Sequence, residues 1–139
     1  MTTVEHVGVS TGLTYEGLVG AFERELGRWD PVTGNALVER RAPWSDVERE
    51  VERMAGKHGL MIFFRADQSA VASLAGKAKR YSLYLVGNPV IANRIISIEI
   101  RASFYVPFRA CLYVPANPAA PSSPTIVRPH FSTCSDGRS

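Results

Sequence analysis

The sequence predicts an α+β fold: a two-layer sandwich, with a mostly antiparallel sheet and helices packed on one face. Three observations predict it. Strand-like apolar segments interleave with segments whose apolar residues recur at helical spacing. Late in the chain the strand-like segments follow one another at hairpin-like distances. The chain has 139 residues, 45% hydrophobic and 21% charged, which suits one domain with one core.

Residues 3–11, rich in Val and Thr, read as a first strand. Tyr15, Leu18, Val19, Phe22 and Leu26 then fall at helical spacing, with Thr14 as N-cap and Gly27 as the stop. Residues 28–43, with Pro31, Gly34 and Pro43, lack periodicity and read as a loop or insertion. A second helix follows. Ser45 and Glu48 form a capping-box pattern, Val47, Val51, Met54 and Ala55 its apolar face, and Glu48, Arg49, Glu50, Glu52 and Arg53 its wet face. His58 sits at the end of that helix, where a cation favours the dipole.

The run Leu60–Phe64 predicts a strand buried on both faces or centrally placed. Residues 66–79 read as a loop or short helix. Residues 80–86 alternate, with Tyr81, Leu83 and Leu85 on one side and Ser82, Tyr84 and Val86 on the other. Gly87, Asn88 and Pro89 break that strand, and Pro89 opens a helix over 90–97. Residues 102–114 are strand-like, but Pro107 demands a bend, an edge position or a split. Residues 115–124 form a Pro-rich linker, and 125–131 a last short strand ended at Pro129. The expected organisation is a single domain over 1–131, with 28–56 an insertion carrying an extra helix and 132–139 a disordered tail.

Composition narrows the function classes. The net charge is +3, and the positive residues scatter; Lys77, Lys79 and Arg80 are the densest group, so no nucleic-acid partner is expected. No apolar run approaches the roughly 20 residues of a membrane helix, so no membrane partner is expected either. The first ten residues lack a signal-peptide pattern, and the expected location is cytoplasmic. Cys111 and Cys134 form neither a disulfide framework nor a C-x-x-C pair. His6, His58 and His130 have no metal-ligand spacing, and neither metal nor cofactor is expected. The sequence has no nucleophile elbow, P-loop or dinucleotide fingerprint.

Three residues are candidates for chemistry. Asn88 sits in a Gly-Asn-Pro turn that starts a helix; beyond shaping the turn, it is placed to orient a small anion or carbonyl oxygen at the helix N-terminus. Asp67 closes an apolar strand, either as a cap for the next segment or as a general base or ligand-orienting carboxylate. Arg109 interrupts an apolar strand and must reach an edge or find a carboxylate, either Asp67 or that of a substrate. Phe64, Tyr84 and Tyr105 are the expected contacts of an apolar or aromatic ligand, with Gln68, Gly87, Pro89, His6 and His130 completing the ligand-binding set.

The segment from Arg80 to Val114 carries a further signal: Gly87-Asn88-Pro89 after a strand, then Tyr105-Val106-Pro107-Phe108-Arg109. Upstream, the strand ending at Asp67 keeps an acid, with Gln68 after it. In these motifs the chain resembles the domain-of-unknown-function family 302 (DUF302), small bacterial and archaeal α+β domains. The resemblance covers residues 3–27 and 57–131. It implies the two-layer fold and often a homodimer, with no agreed reaction. Gln68 stands where a His is common in that family, so the acid–base or metal role such a His would carry has no side chain here. The expected function is small-molecule binding, extending to isomerase- or cyclase-type chemistry on an apolar or aromatic ligand. The alternative is a non-catalytic homodimerisation or interaction module, with the aromatics forming a seam.

Overall fold

The computed structural model describes residues 2–76, 80–114 and 125–133. The elements are β1 (Thr2–Ser10), α1 (Tyr15–Glu25), β2 (Gly27–Arg28), α2 (Pro31–Glu39), α3 (Trp44–Met54) and β3 (Met61–Asp67). They continue with α4 (Ser69–Leu74), β4 (Arg80–Gly87), α5 (Pro89–Ile96), a 3₁₀ helix (Ile100–Phe104), β5 (Phe108–Val114) and β6 (Thr125–Thr133). One six-stranded sheet runs in the order β1-β6-β5-β4-β3-β2. Each pairing is antiparallel except β2 with β3, so the class is α+β with a mostly antiparallel sheet.

α1 forms where its apolar spacing predicts. Thr14 Oγ1 accepts from the Gly17 N–H at 3.0 Å, which satisfies one of the orphan donors of the first turn. Tyr15 and Leu18 are buried against Ile62, Tyr84, Val86, Ala110 and Leu112, and Val19, Phe22 and Leu26 pack around them. The alternation in β4 therefore holds: Ser82, Tyr84 and Val86 face α1 and are at most 1% exposed. A second cluster joins Val51 and Met54 of α3 to Met61, with Trp29, Phe63 and Val90 against it. Met61 and Ile62 are adjacent, yet they belong to different clusters. The start of the apolar run is thus buried on both faces, and a bulge between Ile62 and Phe64 then shifts the register.

Several local expectations are corrected. Pro31–Glu39 is a helix, not a loop: Asp30 accepts from the Val32 and Thr33 N–H groups, and Pro31 occupies the first turn. α1 stops with Leu26 as its C-cap and Gly27 directly after it, and Gly27 also opens β2. α3 begins at Trp44 with Pro43 as N-cap and no side-chain cap, so Ser45 and Glu48 form no capping box. His58 lies beyond the helix and meets Glu25 at 2.8 Å. β6 runs through Pro129 to Thr133. It is paired with β1 along its length, but with β5 only at Thr125, Ile126 and Val127. At residue 129 the pairing described is with β1, and a proline is tolerated in such an edge-like position. The strand expected over 102–114 is shorter: residues 100–104 form the 3₁₀ helix, and β5 begins at Phe108, just after Pro107. Lys77, Lys79, the 115–124 linker, Cys134 and the tail from 134 lie outside the described residues. Among the described residues no helix is long and apolar enough to cross a membrane.

Candidate functional site

The end of β4, the start of α5 and the segment before β5 enclose a cleft of about 250 Å³. Its walls are Leu60, Phe63, Val86, Gly87, Asn88, Ile91, Ala92, Val106, Pro107 and Phe108. The Val106–Pro107 peptide is cis. A Cβ on Gly87 would stand 3.1 Å from Pro107 Cβ and 3.6 Å from Phe63. A side chain at Gly87 would press on Pro107, and the φ of Gly87 is not positive, so close approach rather than a left-handed backbone favours glycine here.

Asn88 is the polar side chain of the wall, and its turn role is fully formed. Its Oδ1 accepts from the Val90 and Ile91 N–H groups at 2.9 and 3.3 Å, and its Nδ2 donates to the Gly59 carbonyl at 2.8 Å. The Ala92 N–H goes to the Asn88 carbonyl at 2.9 Å, and Pro89 has no N–H. The first-turn donors of α5 are thus taken within the protein. The expected anion or carbonyl site at this helix start is corrected, because such a site needs free N–H groups.

The cleft does not gather the other two catalytic candidates. Asp67 pairs in register with Ser82, whereas Met61, at the other end of β3, pairs with Gly87. Four residues of strand, about 13 Å, separate Asp67 from Phe63, the β3 residue in the cleft wall. Asp67 Oδ1 accepts from the Ser69 N–H at 3.0 Å, closing the turn before α4. The Ser69 hydroxyl and N–H, with Arg65 beside them, hold its carboxyl below the usual carboxylate range. Arg109 is exposed and lies opposite Leu85 in register. It is on the sheet face away from Ser82 and Asp67, so the expected Asp67–Arg109 bridge does not form. The ion-pair partner of Asp67 is Arg65, at 3.9 Å.

The ligand-contact candidates also disperse. Tyr84 has no exposed surface. Its ring meets Phe22 edge-on at 4.9 Å, and its hydroxyl donates to Glu23 at 3.0 Å. Tyr84 is a core residue beneath α1, and the expectation that it touches a ligand is corrected. Phe64 is half-exposed opposite Leu85, outside the cleft. Gln68 accepts from the Tyr81 hydroxyl. Pro89 is the first residue of α5, and Tyr105 is exposed at the end of the 3₁₀ helix, next to the wall residue Val106. His6 and His130 stand on the outer strands β1 and β6; the side-chain roles expected of them fall outside what is described. Of the candidate set, Gly87 and Asn88 line the cleft.

Sequence reading missed the apolar walls Leu60, Phe63, Ile91, Ala92 and Phe108 as site residues, since each is an ordinary apolar residue until the fold assembles them. It also missed two polar features. Glu23 collects the Tyr84 hydroxyl, Arg28 at 2.8 Å and Arg65 at 3.3 Å, tying α1 to the sheet. On the far side of α5, Glu48 and Glu52 of α3 and Arg94 of α5 line a groove that shares Asn88 and Ile91 with the cleft.

The family model described as Domain of unknown function DUF302 matches residues 37–118. The chain belongs to the DUF302 family. All the cleft walls, from Leu60 to Phe108, lie within the matched DUF302 span, as does α3. No curated protein matches the sequence. Among the described residues, no group of three or more His, Cys, Asp or Glu is placed to hold a metal ion.

Proposed function

We propose that this DUF302 domain binds a small apolar or aromatic molecule in the cleft between Gly87-Asn88 and Val106–Phe108. One observation carries the reading. The walls are apolar side chains, and the polar atoms of Asn88 are already bonded to backbone. Such a surface gains by covering apolar area and loses no hydrogen bond in doing so. A volume of about 250 Å³ suits one or two fused rings, since a dry cavity of about 150 Å³ accepts benzene. Isomerase- or cyclase-type chemistry here would work by holding a reactive ligand in one conformation, because the carboxamide of Asn88 is engaged.

Indole is a suitable probe, titrated against the labelled protein and followed by backbone amide shifts. The expected result is saturable shifts confined to Leu60, Gly87, Ile91, Ala92, Val106 and Phe108, abolished by Ala92→Phe, which fills the cleft. Shifts that do not saturate, or that persist in Ala92→Phe, would overturn the reading.

A second reading, a homodimerisation module, is favoured by the apolar face that begins at Ile91 and continues through the 3₁₀ helix.

A further inference from the structure

The groove on the far side of α5 holds about 440 Å³, and its walls follow from helix spacing. α3 contributes Glu48, Val51, Glu52 and Ala55, three and four residues apart and so on one face. α5 contributes Val90 and Arg94, again four apart. Val90 packs on the cluster of Val51 and Met54, which gives the groove an apolar floor. At one end Asn88 Nδ2 donates to the Gly59 carbonyl at 2.8 Å, tying the start of α5 to the turn after α3. Following each helix away from that tie leads to Glu52 and Glu48 on one wall and to Arg94 on the other. The walls thus carry opposite charge away from the tie.

These charges are not spent on each other. α3 satisfies its other carboxylates nearby: Asp46 pairs with Arg40 at 2.9 Å and Arg49 at 3.3 Å, and Glu50 with Arg53 at 2.8 Å. Among the described residues, Glu48, Glu52 and Arg94 enter no ion pair or hydrogen bond through their side chains. Two free carboxylates therefore face one free guanidinium across an apolar floor. A ligand matching all three elements carries a cation and an anion close together and a short apolar tail.

We propose that this groove binds a free α-amino acid with an aliphatic side chain. The ammonium sits between Glu48 and Glu52. The carboxylate takes the two parallel N–H groups that a guanidinium offers. The side chain lies over Val51, Ala55 and Val90 and loses its contact with water. Exposed ion pairs are worth little singly, so neither charged head alone holds a ligand here. This site is separate from the cleft, although Asn88 and Ile91 line both, and it does not depend on what the cleft binds.

An L-leucine titration of the full labelled chain, followed by backbone amide shifts, tests the assignment. Saturable shifts are expected at Glu48, Glu52, Ala55, Gly59 and Arg94. L-Leucinamide lacks the carboxylate and N-acetyl-L-leucine lacks the ammonium. Each is expected to bind roughly tenfold more weakly, as the loss of one charge-assisted contact implies. Arg94→Gln is expected to bind leucine and leucinamide alike, and Glu48→Gln with Glu52→Gln to bind leucine and N-acetyl-leucine alike. All three side chains are exposed, so circular dichroism should not change in either variant. Glu39→Gln, an exposed carboxylate of α2 outside the groove, is expected to bind leucine as the wild type does. Shifts that do not saturate, or wild-type affinity for either analogue equal to that for leucine, would overturn the proposal. So would shifts centred on Val106 and Phe108, which would put leucine in the cleft instead.

Discussion

Ser82 has no exposed surface, and its hydroxyl lies 2.6 Å from the Tyr15 hydroxyl, with Arg65 Nη2 at 3.5 Å. Removing one partner of such a pair strands the other in a place water does not reach. Tyr15→Phe is therefore expected to cost about 1–3 kcal/mol in urea unfolding. Adding Ser82→Ala should recover part of that loss, because no orphaned hydroxyl remains; a double variant as unstable as the sum of the singles would contradict this account. Asn88 acts more locally. It caps α5 through Val90 and Ile91 and ties the turn to Gly59. Asn88→Ala is expected to lower stability by about 1–2 kcal/mol, whereas Asp67→Asn should leave indole binding unchanged because Asp67 stands at the far end of β3. Loss of binding in Asp67→Asn would restore its candidacy as a site residue. The difference in legibility follows from distance along the chain. The Asn88 cap is written in three consecutive residues. The Tyr15–Ser82 bond joins positions 67 apart, and no local pattern announces it.

Among the elements, β3 is the one whose sequence speaks plainly, because Leu60 to Phe64 leave no polar face for water. Ile62 is 4% exposed in the α1 cluster. Ile62→Ala is expected to cost about 2–5 kcal/mol by chemical denaturation, the sum of lost transfer energy and a residual cavity. A change within error would mean that the strand is not core. α2 is the opposite case. Pro31 and Gly34 usually punctuate loops, and they hide the helix from a periodicity reading. Asp30 before Pro31 is the signal that was available: a cap followed by a proline in the first turn. The glycine at 34 answers to packing, since a Cβ there would come within 2.3 Å of the Trp29 ring. That ring in turn lies 5.7 Å from Phe63, between α2 and β3. α5 is legible because Pro89 follows a strand-breaking Gly-Asn, whereas the segment of α4 reads equally as a loop or a short helix; Pro107 marks the start of β5 because proline cannot continue a ladder.

At the scale of the whole molecule, what the sequence could not supply is register. Amphipathic spacing assigns faces, but it does not say that Met61 meets Gly87 and Asp67 meets Ser82. Those pairings keep Asp67 away from Asn88 and turn Arg109 to the other face, and they put Tyr84 beneath α1. The same arrangement sets a pH window for stability. The carboxyls of Glu25, Asp30, Asp67 and Glu99 are held below their usual range, by Lys57, Thr33, Ser69 and Arg101 respectively as the leading causes. Groups lowered in the folded state contribute stability above the unfolded value near pH 4, and lose it as pH falls through the folded value. These groups are exposed, so that acid arm is shallow. Tyr84 has the opposite sign. Burial first, and then the Glu23 carboxylate beside it, push its phenol above the ordinary value. Its contribution is whole below about pH 10 and is lost as pH rises beyond. The thermal midpoint is therefore expected to be flat between about pH 5 and pH 9 and to fall on both sides. Tyr84→Phe keeps the ring packed on Phe22, and Glu23 retains Arg28 and Arg65. In that variant the acid arm should be unchanged and the alkaline fall shallower. An alkaline arm identical to that of the wild type would show that some other group, and not this phenol, limits the fold at high pH.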